Sequence, residues 1–361
     1  MDIPTLQAIV LDHGSCQSKA GFGGEERPRA VFPSIIGRLK CCGFPHLKDY
    51  FVGEEAKAKR SILLLQCPIV QGLVSDWDNM ERLWTHALYT ELRIASEEHP
   101  ILLTESPFNS PASREKTTLI MFETFNVPAL CLAVSSVLPL IASGRTTGIV
   151  LECGHEATHS VPVSNGSPQL YASIRSGISG KLLTQELAAL LEHRYSKGFL
   201  NSDTAAQIKE QLCFVAQSDQ IPASDLLKTY ELPDGNGVTV DWERYHVPEA
   251  LFRPSNVGRE TAAIQEILFK SINRCSISMR SDLCNSLIVS GGSTLFPGFA
   301  ERVAKEMESC GQVRVIAPPE GLLTTWRGGS VLSSLPAFER MYVTKEEYEE
   351  VGPSLIHRKR L

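Results

Sequence analysis

Ile9-Val10-Leu11-Asp12-His13-Gly14 and, much later in the chain, Ile149-Val150-Leu151-Glu152-Cys153-Gly154 share one form: Ile-Val-Leu, an acid, a variable residue and a glycine. Each reads as a buried apolar strand that ends in a carboxylate and turns at the glycine. Each is followed by a second β-like run, residues 19–22 in the first case and 159–163 in the second. A strand–turn–strand unit aims its turn amides at one point, and turns of this kind form anion-binding nests. Two copies predict two related subdomains that hold one phosphate group between them.

Working outward, short β-type runs alternate with amphipathic helices, which is an α/β pattern. Strands are expected at residues 8–11, 101–104, 148–151, 287–290 and 313–316. Ser75 and Asp76 precede a helix with Trp77, Met80, Leu83, Trp84, Ala87 and Leu88 on one face, the spacing of a core-facing stripe. Leu183, Leu187, Leu190 and Leu191 form a second stripe. A third helix, begun at Asp203, turns Ala205, Ile208, Leu212 and Val215 inward. No low-complexity segment or long linker separates these elements, so two interleaved lobes are expected from 361 residues, more than one hydrophobic core usually supports.

Bulk properties narrow the function. A formal charge of -6 argues against a general nucleic-acid binder, which carries a basic excess or stripe. The dense basic cluster, His357-Arg358-Lys359-Arg360, reads as a solvated tail. The start of the chain shows no signal-peptide pattern. The greasiest stretch, residues 127–142, is too short to span a bilayer and contains Pro128 and Pro139. The ten cysteines read as cytosolic thiols rather than a disulfide framework; adjacent Cys41-Cys42 rarely bridge. The expected location is the cytoplasm and its cytoskeleton, with the nucleus as the alternative, and no membrane span.

Longer strings carry a family resemblance over nearly the whole chain. Pro28-Arg29-Ala30-Val31-Phe32-Pro33-Ser34-Ile35-Ile36-Gly37-Arg38, Leu103-Thr104-Glu105, Met121-Phe122-Glu123-Thr124-Phe125-Asn126-Val127-Pro128-Ala129 and Ala142-Ser143-Gly144-Arg145-Thr146-Thr147-Gly148 are similar to stretches of actin. So are Tyr230-Glu231-Leu232-Pro233-Asp234-Gly235, Ser290-Gly291-Gly292-Ser293-Thr294 and the closing segment from Gly352-Pro353-Ser354 to His357-Arg358-Lys359. The chain thus resembles a divergent actin-related or actin-like protein. The resemblance implies an α/β fold of the actin/Hsp70/sugar-kinase kind, with duplicated ribonuclease H-like subdomains and two lobes around a nucleotide cleft. Residues 1–142 plus 323–361 would form the first lobe, with a small second subdomain at about 33–69, and residues 143–322 the second. ATP or ADP with Mg2+ is the implied cofactor. Asp12, Gly14, Ser15, Cys16 and Lys19 fall on the first phosphate loop, and Gly154 on the second. Gly180 joins the nucleotide set, Lys209 and Glu210 fall at nucleoside positions, and Gly291, Gly292 and Ser293 on the adenosine loop. Asp12 and Glu152 would reach the metal through water. Lys209 and Glu210 lie off the apolar stripe of their helix and are expected to be able to face a ligand.

The departures from that pattern bear on activity. The family's Asp-x-Gly-Asp-Gly loop is here Glu152-Cys153-Gly154-His155-Glu156. A Glu156 carboxylate about 5 Å from one phosphate charge would cost ~3 kcal/mol at an effective dielectric near 20, about a hundredfold in affinity, unless it swings away or His155 is protonated. Glu152 is one methylene longer than the aspartate it replaces, and Cys16 replaces a glycine. Ser135 stands where the family has a water-positioning glutamine, while His159 is retained from the same water network. Leu322 and Ala206 replace basic residues beside the adenine. Filament contacts differ too: residues 38–52 are shorter and carry Cys41-Cys42-Gly43-Phe44-Pro45, the inter-strand plug is Asn256-Val257-Gly258-Arg259, the acidic N-terminal tail is missing, and Arg327 follows Trp326 in the partner-binding cleft.

His155-Glu156-Ala157-Thr158-His159 is also a literal H-E-x-x-H. Zinc chemistry requires both histidines on one face of a helix, and the β-like setting argues against it. The expected function is a divergent actin-related cytoskeletal subunit with weak or absent ATP hydrolysis. An active ATP-dependent filament former and a nuclear chromatin-remodelling subunit are the alternatives, and the expected partners are actin, other actin-related subunits and actin-binding proteins.

Overall fold

The computed structural model describes residues 7–40, 48–195, 200–218, 226–232 and 235–359. Cys41, Cys42, the adjoining loop to residue 47, Pro233, Asp234, Arg360 and the first six residues lie outside that set. The chain divides into two compact units. One comprises Met1–Thr146, Ser164–Leu170 and Leu323–Leu361; the other comprises Thr147–Val163 and Tyr171–Leu322.

The first unit is built on a sheet with strand order Val343–Thr344, Ala129–Val134, Ile101–Glu105, Ile9–His13, Gln17–Phe22, Ala30–Pro33. Ile9–His13 pairs antiparallel with Gln17–Phe22 and parallel with Ile101–Glu105. Its residues Ile9, Val10 and Leu11 are wholly buried, the mark of a strand covered on both faces. Helix Trp77–Thr85 starts where the Asp76 side chain accepts the Asn79 amide at 3.0 Å, and it buries Met80, Leu83 and Trp84. A three-stranded sheet, Phe51–Val52, Ile36–Leu39, Leu63–Gln66 in that order, forms a smaller part of the same unit.

The second unit repeats the scheme. Gly148–Cys153 pairs antiparallel with Thr158–Ser164 and parallel with Leu287–Ser290, which in turn pairs parallel with Val315–Ile316. Helix Gly180–Tyr195 buries Leu183, Leu187 and Leu191 as its stripe predicts, with Leu190 half-buried. The third expected helix runs Ser202–Leu212 and is capped by Asn201, whose side chain accepts the Thr204 amide at 2.8 Å. It therefore starts before Asp203. Val215 is buried but lies beyond the helix, because the chain becomes extended at Cys213. Both hairpin strands run two residues past their expected ends, so the acids sit inside the ladder rather than after it.

The C-terminal segment closes the first unit through glycine. Helix Thr324–Ser333 packs on Leu138–Ala142 so closely that a Cβ on Gly328 would lie 1.9 Å from the Leu138 carbonyl oxygen. Beside it, Trp326 is wholly buried and donates its indole N–H to the Val10 carbonyl at 3.0 Å. The basic tail is not simply solvated: His357 Nε2 pairs with Glu115 at 2.9 Å and Lys359 Nζ with Glu347 Oε1 at 2.7 Å. No helix among the described residues is long and apolar enough to cross a membrane.

Because the clash at Gly328 is with backbone, no rotamer change relieves it. Gly328→Ala is expected to destabilise the chain by at least about 1–3 kcal/mol, the usual cost of overpacking, measured as a lower urea midpoint at unchanged slope.

Candidate functional site

In the first hairpin the cross-strand register sets Asp12 opposite Lys19. Lys19 Nζ donates to Asp12 Oδ2 at 3.0 Å, and both side chains are 9% exposed. Thr104, on the neighbouring parallel strand, donates its hydroxyl to Asp12 Oδ1 at 2.9 Å. The turn closes when the Gly14 amide donates to the Gln17 carbonyl at 3.0 Å. Ser15 is half-buried and Cys16 exposed at its tip. Ser135 follows the strand Ala129–Val134, and its amide donates to the Glu105 carbonyl at 2.8 Å. Asp12, Thr104 and Ser135 thus mark the carboxyl ends of three adjacent parallel strands of this unit, where open α/β sheets place their ligands.

The second hairpin has the same construction. Glu152 stands opposite His159, and His159 Nε2 lies 3.1 Å from Glu152 Oε2. The Gly154 amide donates to the Ala157 carbonyl at 2.8 Å. An acid paired with a nitrogen base seven residues on, around a glycine-initiated turn, occurs in both units.

Around the second turn the unit gathers glycines. The Gly180 amide donates to the Gly154 carbonyl at 3.0 Å and the Lys181 amide to the His155 carbonyl at 2.7 Å, which seats the start of helix Gly180–Tyr195 on the turn. Gly291 has φ +94°, and a Cβ there would lie 2.5 Å from the Cys153 carbonyl oxygen. A Cβ on Gly180 would lie 2.8 Å from Ser293 Oγ. Bare backbone is obligatory at Gly291, while at Gly180 a side chain would require Ser293 to turn away. Gly154, Gly180, Gly291 and Ser293 are therefore brought together, with Gly292 beside the Leu322 side chain.

Lys209 is not free to face a ligand. It is buried, and its ammonium donates to the Gly180 carbonyl at 3.0 Å and to Thr184 Oγ1 at 2.8 Å. Helical spacing placed it off the apolar stripe, but the neighbouring helix covers that side. Its role in this geometry is to hold the Gly180 turn. Glu210 is exposed.

The charge on Glu156 is also disposed differently from the sequence expectation. Lys181 Nζ donates to Glu156 Oε1 at 2.6 Å, so the carboxylate brings its own counter-charge. His155 does not supply it: burial pushes the imidazole below its usual value, and Lys209 and Lys181 push the same way against Glu156. The H-E-x-x-H string is resolved in the same place. Its first half lies in the turn and His159 in the strand Thr158–Ser164, and no cluster of metal-ligating side chains occurs among the described residues.

Around the two turns, residue spacing gave no sign of Thr104 on Asp12, of Lys181 on Glu156, or of a hydrogen-bonded chain behind the first turn. In that chain His13 Nδ1 lies 2.8 Å from Ser18 Oγ, which lies 2.8 Å from Ser34 Oγ. His13 and Lys181 sit beside motif residues in the sequence, but side-chain direction selects their partners.

A family model described as Actin matches residues 3–361. The chain belongs to the actin family. Its mixed α/β architecture is the actin/Hsp70/sugar-kinase fold, and actin-family proteins bind nucleotide with Mg2+. In this actin-like chain the amides of Gly154, Gly180 and Gly291 already donate to the Ala157, Gly154 and Gly321 carbonyls, and it is Gly292 beside them that is exposed. The acids suit a hydrated ion better than a bare one. Both oxygens of Asp12 already accept hydrogen bonds, and Glu152 is paired with His159. A carboxylate so engaged can still accept from a metal-bound water, as Mg2+ commonly retains several.

His13 carries a testable pH dependence. Burial lowers its pKa to about 4, an effect that Lys19 reinforces and Asp12 opposes, and its Nε2 has no hydrogen-bond partner among the described residues. The unfolded chain takes up this proton near pH 6.5 and the folded chain only near 4, so stability falls as pH drops through that interval. The loss from this group is roughly 2–3 kcal/mol. His13→Asn is expected to flatten that part of a stability–pH profile.

Proposed function

We propose that this actin-like chain is a divergent cytoskeletal or assembly subunit whose nucleotide turnover is weak or absent. The observation that carries the reading is Ser135. It occupies the carboxyl end of a central strand, held by its amide to the Glu105 carbonyl at 2.8 Å, and its one-carbon side chain replaces the longer amide expected from the actin resemblance. Phosphoryl transfer depends on positioning and electrostatics, so a hydroxyl too short to hold the attacking water slows hydrolysis by orders of magnitude.

Binding is a separate matter from turnover. The Lys181–Glu156 pair removes much of the repulsion that Glu156 would present to a polyphosphate, and exposed Gly292 offers backbone to a ligand. Mg-ATP or Mg-ADP would engage the Gly154, Gly180 and Gly291–Ser293 segments in the second unit. Taken by itself, the first-unit turn carrying Asp12, Gly14, Ser15, Cys16 and Lys19 would accept phosphate and a hydrated ion in the same manner. A bound Mg-nucleotide would supply the phosphate charge that these turns are shaped to accept. His159, paired with Glu152, is retained as a hydrogen-bonding group for water, and Glu210 would serve the nucleoside. In this reading nucleotide acts as a structural ligand and protein contacts drive assembly. Partners of the actin type and a cytoplasmic, cytoskeletal setting follow from the same reading.

The altered surface supports a subunit that does not copolymerise freely. Asn256 and Arg259, at the expected plug, are exposed and polar around the short helical turn Pro254–Val257. An unpaired arginine buried across an interface would be costly.

Mg-ATP at 100 times its dissociation constant should stabilise the chain by ~2.7 kcal/mol, read as a higher melting temperature than in chelator, while phosphate release stays below stoichiometric. Release at an actin-like rate would overturn the proposal. Ser135→Gln is expected to raise phosphate release without changing the melting shift. Lys181→Ala should shrink the shift by exposing the Glu156 charge.

A further inference from the structure

We propose that Cys16 and Cys67 form a peroxide-sensitive dithiol that locks the first hairpin turn. Cys67 lies between the strands Leu63–Gln66 and Ile69–Val70, distant in sequence from the turn. Its Sγ nevertheless sits 3.1 Å from the Ser15 carbonyl oxygen, to which the thiol donates, and also 3.1 Å from the Ile69 carbonyl oxygen. A thiol has one proton, so these two carbonyls compete for it and hold the sulfur against the turn.

Cys16 is the next residue after Ser15 and is exposed at the turn tip. Standard peptide dimensions put its Cα about 2.8 Å from the Ser15 oxygen, so Cys67 Sγ lies within about 6 Å of Cys16 Cα. A disulfide then needs a shift of up to about 2 Å, supplied by χ1 rotation at Cys67, while χ1 of exposed Cys16 turns its own sulfur to meet it. The Cys16 carbonyl accepts the Ser34 amide at 3.0 Å, which anchors the backbone while the side chain moves. Cys67 is half-buried and Cys16 exposed, so an oxidant meets Cys16 first.

The chemistry balances with a hydroperoxide as oxidant. The Cys16 thiolate attacks a peroxide oxygen, the O–O bond breaks, and the departing oxygen leaves as water with hydrogen peroxide. Cys16 is then a sulfenic acid. The Cys67 thiolate attacks Cys16 Sγ, the S–O bond breaks, hydroxide leaves and takes up a proton, and the S–S bond forms. Two thiols lose two electrons and two protons in all, and one peroxide becomes two waters. The link would tie the turn bearing Ser15 to the segment after Gln66 within the first unit. It does not depend on nucleotide binding.

Mapping the oxidised full-length chain tests the proposal. Protein is treated with hydrogen peroxide, quenched with N-ethylmaleimide, digested with trypsin without reduction and analysed by mass spectrometry. Residues 1–19 contain Cys16 as their sole cysteine and residues 61–82 contain Cys67 as theirs. The expected product joins these two peptides and is separated by dithiothreitol. It should form several-fold faster in native buffer than in urea. Cys67→Ser should instead accumulate a dimedone-reactive Cys16. Recovery of both peptides singly alkylated, linkage of Cys16 to any other cysteine, or equal rates in urea would each overturn the proposal. If Cys67→Ser fails to fold, the wild-type link map decides.

Discussion

The structure depends on a constraint imposed twice: a carboxylate near the end of a buried strand, buried at Asp12 and half-buried at Glu152, must be given a partner. Asp12 meets Lys19 and Thr104; Glu152 meets His159. Removing one member of a buried pair leaves an uncompensated charge, at a typical cost of about 3–5 kcal/mol. The pairing therefore holds the hairpin register, and the register decides where the following turn points. A slip of one residue would take the acid out of line with its cross-strand partner and leave its charge uncompensated.

From that register the rest of each half-site follows. In the second unit the helix that starts at Gly180 is seated on the turn by two amide-to-carbonyl bonds, and buried Lys209 fastens the Gly180 carbonyl from the far side. Gly291 passes the Cys153 carbonyl at a distance that no side chain tolerates. In the first unit the support behind the turn is polar, a His13–Ser18–Ser34 chain, with the Cys67 thiol against its tip. The two turns share a frame but differ in their backing, so substitutions at matching positions will not have matching consequences.

The substitution that looked most damaging on paper, Glu156, is the one the tertiary structure softens. A carboxylate near phosphate is costly only while its charge stands alone, and Lys181 lies 2.6 Å away. Ser135 has no such remedy, since reach is set by covalent length. In the proposed reading turnover and binding are separable, because Ser135 would bear on the attacking water and Lys181 on the charge that a bound polyphosphate meets.

The sequence by itself pointed to the actin-family fold through long strings similar to actin, and to the two Ile-Val-Leu-acid-x-Gly hairpins and three helices through local periodicity and through glycines and acids at fixed offsets. The apolar stripes at Leu183, Leu187 and Leu191 and the cap at Asp76 were legible for the same reason. The β-like sequence around His155 and His159 also argued against a helical zinc site, and the turn and strand found there agree with that setting. Tertiary structure alone decided the fate of Lys209, Glu156, the basic tail and Cys67. Each is a long or polar side chain whose partner comes from another segment, Thr184, Lys181, Glu347 and Ser15 in turn. Only packing, which brings distant segments within hydrogen-bond range, selects among the partners such groups can reach.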